Sequence, residues 1–260
     1  MADKNDPIAV FDSGMGGISV LKEMVSLMPE EDFIYFGDSV NAPYGMKSVE
    51  DVRALTIDHI RYFIKEQSAK AIAVACNTAT SAAVKKLREL YPEVPLVGVE
   101  PAIKPAVNSC AHPKILVMAT PRTLAEEKFL NLEHLYDSQA VIYPLPCPGL
   151  MEFVEQGILS GEQLEEYLHN LMDPYLGKDL TGIVLGCTHY PFVRRTIAKI
   201  AGPNVEIFDG SLGTARELRR RIHAAGLGQS QEHKGKVDFL NSSDDPKKIE
   251  LMEYLFHSDI

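Results

Sequence analysis

Ala71-Ile72-Ala73-Val74-Ala75-Cys76-Asn77-Thr78-Ala79-Thr80 and Gly182-Ile183-Val184-Leu185-Gly186-Cys187-Thr188-His189-Tyr190-Pro191 read as copies of one another. Each is a run of small and branched apolar residues that ends in a cysteine. Hydroxyl-bearing and polar residues follow, and then the opening of a helix. An unbroken apolar run of this kind fits a strand buried on both faces, as in a parallel sheet covered by helices. The repeat therefore predicts two half-structures of one design, with a thiol at the equivalent point of each.

Outward from these two segments the chain alternates short apolar runs with amphipathic stretches, the signature of an α/β fold with mostly parallel sheets. Strands are predicted at 7–11, 32–36, 71–75, 95–99, 114–118, 140–143, 182–185 and 205–208, with helices filling the gaps. The helices include 121–136 and 191–200, the second opening just after Cys187. Pro95, Pro101 and Pro105 flank the strand 95–99, where the chain crosses from one half to the other. Phe208-Asp209-Gly210-Ser211, similar to the turn Phe11-Asp12-Ser13-Gly14, carries it back. The expected organisation is two similar α/β domains, one made of 1–98 plus 209–260 and the other of 99–208. A strand around Val237-Asp238-Phe239-Leu240 and a helix after Pro246 close the chain.

Composition narrows the function classes. Of 260 residues 45% are hydrophobic, and 36 Asp and Glu against 26 Lys and Arg give a formal charge of −10. That balance argues against a phosphate backbone, and so against nucleic acid, as the main ligand. Arg219-Arg220-Arg221 reads as a solvated helix end. No apolar stretch reaches the roughly 20 residues that span a bilayer, and the first ten residues lack the basic start and apolar core of a signal peptide. The expected compartment is the cytoplasm, without a membrane partner. Four cysteines, Cys76, Cys110, Cys147 and Cys187, show no CxxC pairing or nearby Cys/His cluster. Neither zinc nor an iron–sulfur cluster is expected, and disulfides are the weaker reading in a reducing compartment.

Three kinds of turn carry the chemistry. Phe11-Asp12-Ser13-Gly14-Met15-Gly16-Gly17 follows a strand and opens a helix, so its glycines admit a ligand close to the backbone and the helix start offers N–H groups to an anion. Neither GxGxxG nor GxxxxGK[ST] is present. A second polar turn, Phe36-Gly37-Asp38-Ser39-Val40-Asn41-Ala42-Pro43-Tyr44-Gly45, again follows a strand at its carboxyl end, where open α/β sheets place ligands. Read alone it is equally a structural turn built on Pro43, Tyr44 and Gly45. Cys76-Asn77-Thr78 and Cys187-Thr188-His189 each set a thiol at a predicted strand end and helix start, which favours the thiolate. Asp12 or His189 is placed to exchange a proton with a cysteine.

Asp12-Ser13-Gly14-Met15-Gly16-Gly17, Phe36–Gly45, Ala75-Cys76-Asn77-Thr78-Ala79-Thr80 and Gly186-Cys187-Thr188-His189-Tyr190-Pro191, in this order and at these intervals, resemble the cofactor-independent glutamate racemases of bacteria. The resemblance runs over almost the whole chain, including the closing strand and helix. It implies two similar α/β domains with the active site in the cleft between them, no cofactor, and two cysteines acting on opposite faces of the substrate α-carbon. It further implies that Cys76 acts on D-glutamate with help from Asp12, and Cys187 on L-glutamate with help from His189. Ser13, Pro43, Tyr44, Gly45, Asn77, Thr78 and Thr188 would hold the carboxylates and ammonium. Thr120 and Thr123 fall where the family places a further substrate-binding threonine, with Thr123 preferred. A homodimer supplying D-glutamate for peptidoglycan is the implied setting.

Gly149 and Glu152 stand where other members carry bulkier apolar residues or proline, which leaves open whether Glu152 or Glu155 approaches the site. The alternatives are an aspartate or other amino-acid racemase of the same superfamily, or a binding protein that has lost catalysis and acts on a macromolecular partner such as DNA gyrase.

Overall fold

The computed structural model describes residues 3–230 and 232–260. By packing, the chain divides into one unit running to Glu100 and resuming at Ser211–His257, and another formed by Pro101–Gly210 with Ser258–Ile260.

In the first unit β1 (Ile8–Asp12), β2 (Phe33–Gly37), β3 (Ala71–Val74), β4 (Leu96–Gly98) and β9 (Val237–Asn241) form one sheet in the order β4-β3-β1-β2-β9. Every pairing is parallel. The helices are α1 (Ile18–Leu27), α2 (Val49–Lys65), α3 (Asn77–Leu90), α10 (Ser211–Ala224) and α11 (Pro246–His257). β1 and β3 are buried at every position, which is why they read as continuous apolar runs rather than alternating ones. α2 starts where Ser48 accepts the Asp51 N–H at 3.0 Å, with Glu50 and Asp51 in its first turn and Lys65 in its last, each on the side the helix dipole favours. Its Val52, Ile60 and Phe63 pack with Phe11, Ile72, Val74 and Leu87 into one core. Each such side chain, fully buried, contributes about 1.5–3 kcal/mol. At the amino ends of the strands Lys70 is buried in an ion pair with Glu31 at 2.5 Å and also donates to the Lys4 carbonyl.

The second unit holds β5 (Lys114–Ala119), β6 (Val141–Pro146), β7 (Gly182–Leu185) and β8 (Glu206–Asp209) in the order β6-β5-β7-β8, again all parallel. Its helices are α4 (Ile103–Val107), α5 (Pro121–Ala125), α6 (Glu127–Tyr136), α7 (Leu150–Glu155), α8 (Glu162–Leu176) and α9 (Arg194–Ala201). Ile103, Ala106, Ile115, Val117 and Val184 form the heart of its core. β6 extends past the expected 140–143 through Pro144 and Pro146, which an edge strand tolerates because its outer N–H groups have no ladder partner. The helix expected over 121–136 is two helices, broken at Glu126, whose backbone is extended (φ −75°, ψ 138°). No proline or glycine marks that break in the sequence.

The two sheets repeat one another in register. β1 lies opposite β3 with Ile8 against Ala71, as β5 lies opposite β7 with Ile115 against Gly182. Ala75 N–H bonds the Phe11 carbonyl at 2.7 Å, and Gly186 N–H bonds Met118 at the same distance. Asp38 N–H bonds Asp12, and Cys147 N–H bonds Ala119, both at 2.9 Å. Cys76 thus corresponds to Cys187, Ser13 to Thr120, Asp38 to Cys147 and Asp12 to Ala119. The likeness visible in two ten-residue segments is a likeness of four parallel strands in each sheet, with β9 the addition that the second sheet lacks.

Candidate active site

In the first unit the thiol of Cys76 caps a helix. Cys76 leaves β3 with extended backbone (φ −122°, ψ 124°), and its Sγ accepts the Ala79 N–H at 3.4 Å at the start of α3. A helix start with free N–H groups favours the thiolate. Ser13 Oγ lies 3.3 Å from Sγ, so a hydroxyl from the neighbouring strand end meets the same sulfur. Asp12, the last residue of β1, is wholly buried, and its Oδ2 accepts the Gly17 N–H at 2.8 Å and the Tyr35 hydroxyl at 3.4 Å. This turn needs glycine at 17, because a Cβ there would lie 2.8 Å from the Cβ atoms of both Asp12 and Ala75. Beside them, Asn77 Oδ1 is buried with no hydrogen-bond partner among the described residues. Thr78 is buried next to it.

The second polar turn is anchored from below. Tyr44 is buried, and its hydroxyl donates to Asp38 Oδ2 at 2.7 Å. Asn41 Nδ2 reaches both Asp38 oxygens at 3.0 Å. Burial works to raise the Asp38 pKa, but hydrogen bonds from His59, Tyr44, Asn41 and Ser242 outweigh it and hold the carboxyl well below its usual range. The phenol of Tyr44 is pushed far up by burial and by its bond to that carboxylate, so it stays a donor. Pro43 follows a cis peptide and precedes the short helical turn Tyr44–Met46. A side chain at Gly45 would meet nothing within 4 Å, so this turn borders open space.

In the second unit the thiol is partnered differently. Cys187 follows β7, but residues 187–189 form a turn and Tyr190–Val193 a 3-10 segment before α9 begins at Arg194. The expectation that Cys187 sits at an α-helix start is therefore corrected. Pro191, which has no N–H to give, lies in the first turn of that 3-10 segment. The partner of the sulfur is instead His189, whose Nδ1 lies 3.6 Å from Cys187 Sγ. Its Nε2 bonds Glu155 Oε1 at 2.9 Å. Burial opposes charge on this imidazole, yet the bonds to Cys187 and Glu155, and their charges, raise its pKa well above 6.5. A carboxylate–imidazole–thiol chain stands where the first unit has carboxylate, serine and thiol on neighbouring strand ends.

Register explains the asymmetry. The position corresponding to Asp12 is Ala119, so the second sheet carries no carboxylate at that strand end and draws one from α7. Gly149 starts that helix in the left-handed region (φ 95°), a conformation residues with a Cβ rarely adopt. Glu155, not Glu152, meets His189. Thr120, the counterpart of Ser13, accepts the Thr123 N–H at 3.2 Å, and the two hydroxyls lie 3.0 Å apart. Both threonines thus stand at one point, with Thr123 the more buried. Thr188 is buried beside Cys187. Cys147 is buried and its thiol is pushed up to about 12, first by burial and then by the charge of Cys187, so it remains protonated and packs.

The sequence marks Asp38 only as part of the polar turn, leaves Glu152 open beside Glu155, and does not single out His59. His59 lies on α2, 21 residues beyond Asp38, with no local motif around it.

A parallel α/β protein with thiols at equivalent strand ends of two similar sheets is the class that these observations define. A family model for Asp/Glu/Hydantoin racemase matches residues 8–218, and the chain belongs to that family. It is 51% identical over 255 residues to a glutamate racemase of Clostridium acetobutylicum, covering 98% of this chain and 99% of that protein. Among solved structures, glutamate racemase of Francisella tularensis in complex with D-glutamate matches with a TM-score of 0.83 and 29% identity, covering 99% of this chain and 96% of that one. The Escherichia coli glutamate racemase, in complex with L-glutamate and an activator, matches with a TM-score of 0.82 and 26% identity over 95% and 92% of the two chains.

Proposed function

We propose that this chain is a glutamate racemase that interconverts L- and D-glutamate by two-base proton transfer, Cys76 acting on the D enantiomer and Cys187 on the L enantiomer. The observation that carries the reading is the pair of register-equivalent thiols, each at a strand end and each in contact with a polar partner of its own. Inversion requires one thiolate to remove the α-proton while the opposite thiol delivers a proton to the other face. The α-proton is very weakly acidic beside a carboxylate, so charge developing on that carboxylate must meet preorganised donors. Ser13, Asn77, Thr78 and Thr188, on the turns after β1, β3 and β7, supply them, while Pro43, Tyr44, Gly45, Thr120 and Thr123 help to hold the substrate in place. Asp12 serves Cys76, and His189 serves Cys187.

The substrate assignment is supported by near-full-length likeness to glutamate racemases and by two structural neighbours that hold D- and L-glutamate. Among the described residues no group of three or more His, Cys, Asp or Glu is placed to hold a metal. No described helix is long and apolar enough to cross a membrane. In the cell the proposed role is supply of D-glutamate for peptidoglycan by a cytoplasmic homodimer.

The test is circular dichroism of each glutamate enantiomer incubated with the purified protein and no added cofactor. Loss of optical activity from both is expected. No change with either, alongside turnover of aspartate, would replace glutamate by the shorter substrate. No change with any amino acid would remove the racemase reading.

A further inference from the structure

The Asp38–Tyr44 anchor extends to a residue on another element. His59, on α2, bonds Asp38 Oδ2 through Nε2 at 3.1 Å. Because Asp38 is ionised it only accepts, so Nε2 carries the proton. The imidazole lies against Phe36, with ring centres 4.8 Å apart, and against Phe11 at 5.5 Å, both of them on strands that lead into the site turns. Asp38 Oδ2 thus gathers donors from the turn itself, Tyr44 and Asn41, and from the helix beneath, His59. The Asp38 carboxylate is wholly buried while the imidazole is 26% exposed, so His59 forms the outer end of the chain. A buried carboxylate stays charged only while donors surround it. The same residue's N–H is fixed to the Asp12 carbonyl at 2.9 Å, which ties this network to the first site turn.

We propose that His59 is a positioning residue for substrate: through Asp38 it fixes the Tyr44 hydroxyl and so sets the Pro43–Gly45 turn against which glutamate binds. The assignment rests on the racemase reading for the identity of the substrate but not for the geometry of the network. His59 touches no reacting atom. Its loss withdraws one charge-assisted donor from Asp38, loosens the turn and raises the ordering cost paid on binding. Interactions of that kind act on ground state and transition state alike, so KM rises while kcat stays.

Two variants separate this role from packing. His59→Phe keeps a ring against Phe36 and Phe11 and removes the donor; His59→Gln loses the ring and keeps an N–H donor at similar reach. In steady-state kinetics His59→Phe is expected to raise KM for glutamate by roughly 3- to 10-fold with kcat within about twofold, and His59→Gln to recover most of that loss. Hydrogen exchange of the free proteins gives a readout that needs no turnover. The Met46 and Lys47 N–H groups, which close the turn on Pro43 and Tyr44 at 3.3 and 3.1 Å, should exchange about tenfold faster in His59→Phe, and at near the wild-type rate in His59→Gln. Wild-type KM and unchanged exchange in His59→Phe would overturn the proposal, as would equal impairment of both variants, which marks a packing role. If the wild-type protein leaves glutamate unchanged the substrate reading falls, and the exchange rates alone still decide the role of His59.

Discussion

Replacing either Cys76 or Cys187 by alanine is expected to abolish racemisation while leaving the fold intact. In the proposed mechanism each cysteine is the base in one direction and the acid in the other, so loss of one removes both directions at once. The expected fall in turnover is about 10⁴-fold, the upper end of what one positioned acid–base group contributes. Both side chains are small and stand at strand ends rather than inside the sheets, so thermal unfolding should shift by only a few degrees. Serine in either place keeps a hydroxyl of far weaker basicity and should leave trace activity. Wild-type rates in a serine variant, or racemisation by either alanine variant, would contradict the assignment. Measuring optical rotation and thermal unfolding on the same samples separates lost chemistry from lost structure.

The second large effect concerns the helpers. Asp12→Asn and His189→Asn are each expected to lower kcat/KM by about 10²-fold, the scale of a single acid–base contribution. Because the two enantiomers of glutamate have equal free energies, any variant must lose kcat/KM equally in both directions. Asymmetry can therefore appear only in which proton transfer limits the rate. With His189→Asn the step at Cys187 becomes limiting, so α-deuterated L-glutamate should show the larger isotope effect. With Asp12→Asn the larger effect should move to D-glutamate. Isotope effects that stay equal for the two enantiomers in both variants would break the pairing of each helper with its thiol. The bonds to Cys187 and Glu155 push the His189 imidazole toward its protonated form, which fits the proposed part of assisting Cys187.

Much of this arrangement is legible in the sequence because it is written in runs. Buried parallel strands leave continuous apolar stretches, and the turns at their carboxyl ends leave dense polar ones, so Asp12, Ser13, Cys76, Cys187 and His189 stand out without a structure. The likeness of 71–80 to 182–191 is the trace of two sheets whose registers match residue for residue.

What the sequence hides is contact between distant elements. His59 reaches Asp38 from a helix whose own pattern accounts for it as one more polar face residue. Glu155 and Glu152 lie three apart on one short helix, and only the packing of α7 against the Tyr190–Val193 segment selects the first. In the sequence the turn at Cys187 looks the same as a helix start, because Pro191 fits the first turn of an α-helix as well as a 3-10 segment. Here the consequence is chemical: Cys76 takes a backbone N–H, while Cys187 takes an imidazole.

The central claim, that two thiols on opposite faces of one α-carbon carry the proton, is tested most directly by isotopic analysis early in the reaction. L-Glutamate is incubated with the enzyme in deuterated water and both enantiomers are examined before a tenth or so of the substrate has turned over. Two bases predict D-glutamate carrying solvent deuterium at the α-carbon while the remaining L-glutamate is still protiated, with the mirror result starting from D-glutamate. D-Glutamate that retains the substrate's own proton, or L-glutamate that gains deuterium as fast as it is inverted, would show a single base serving both faces and contradict the account.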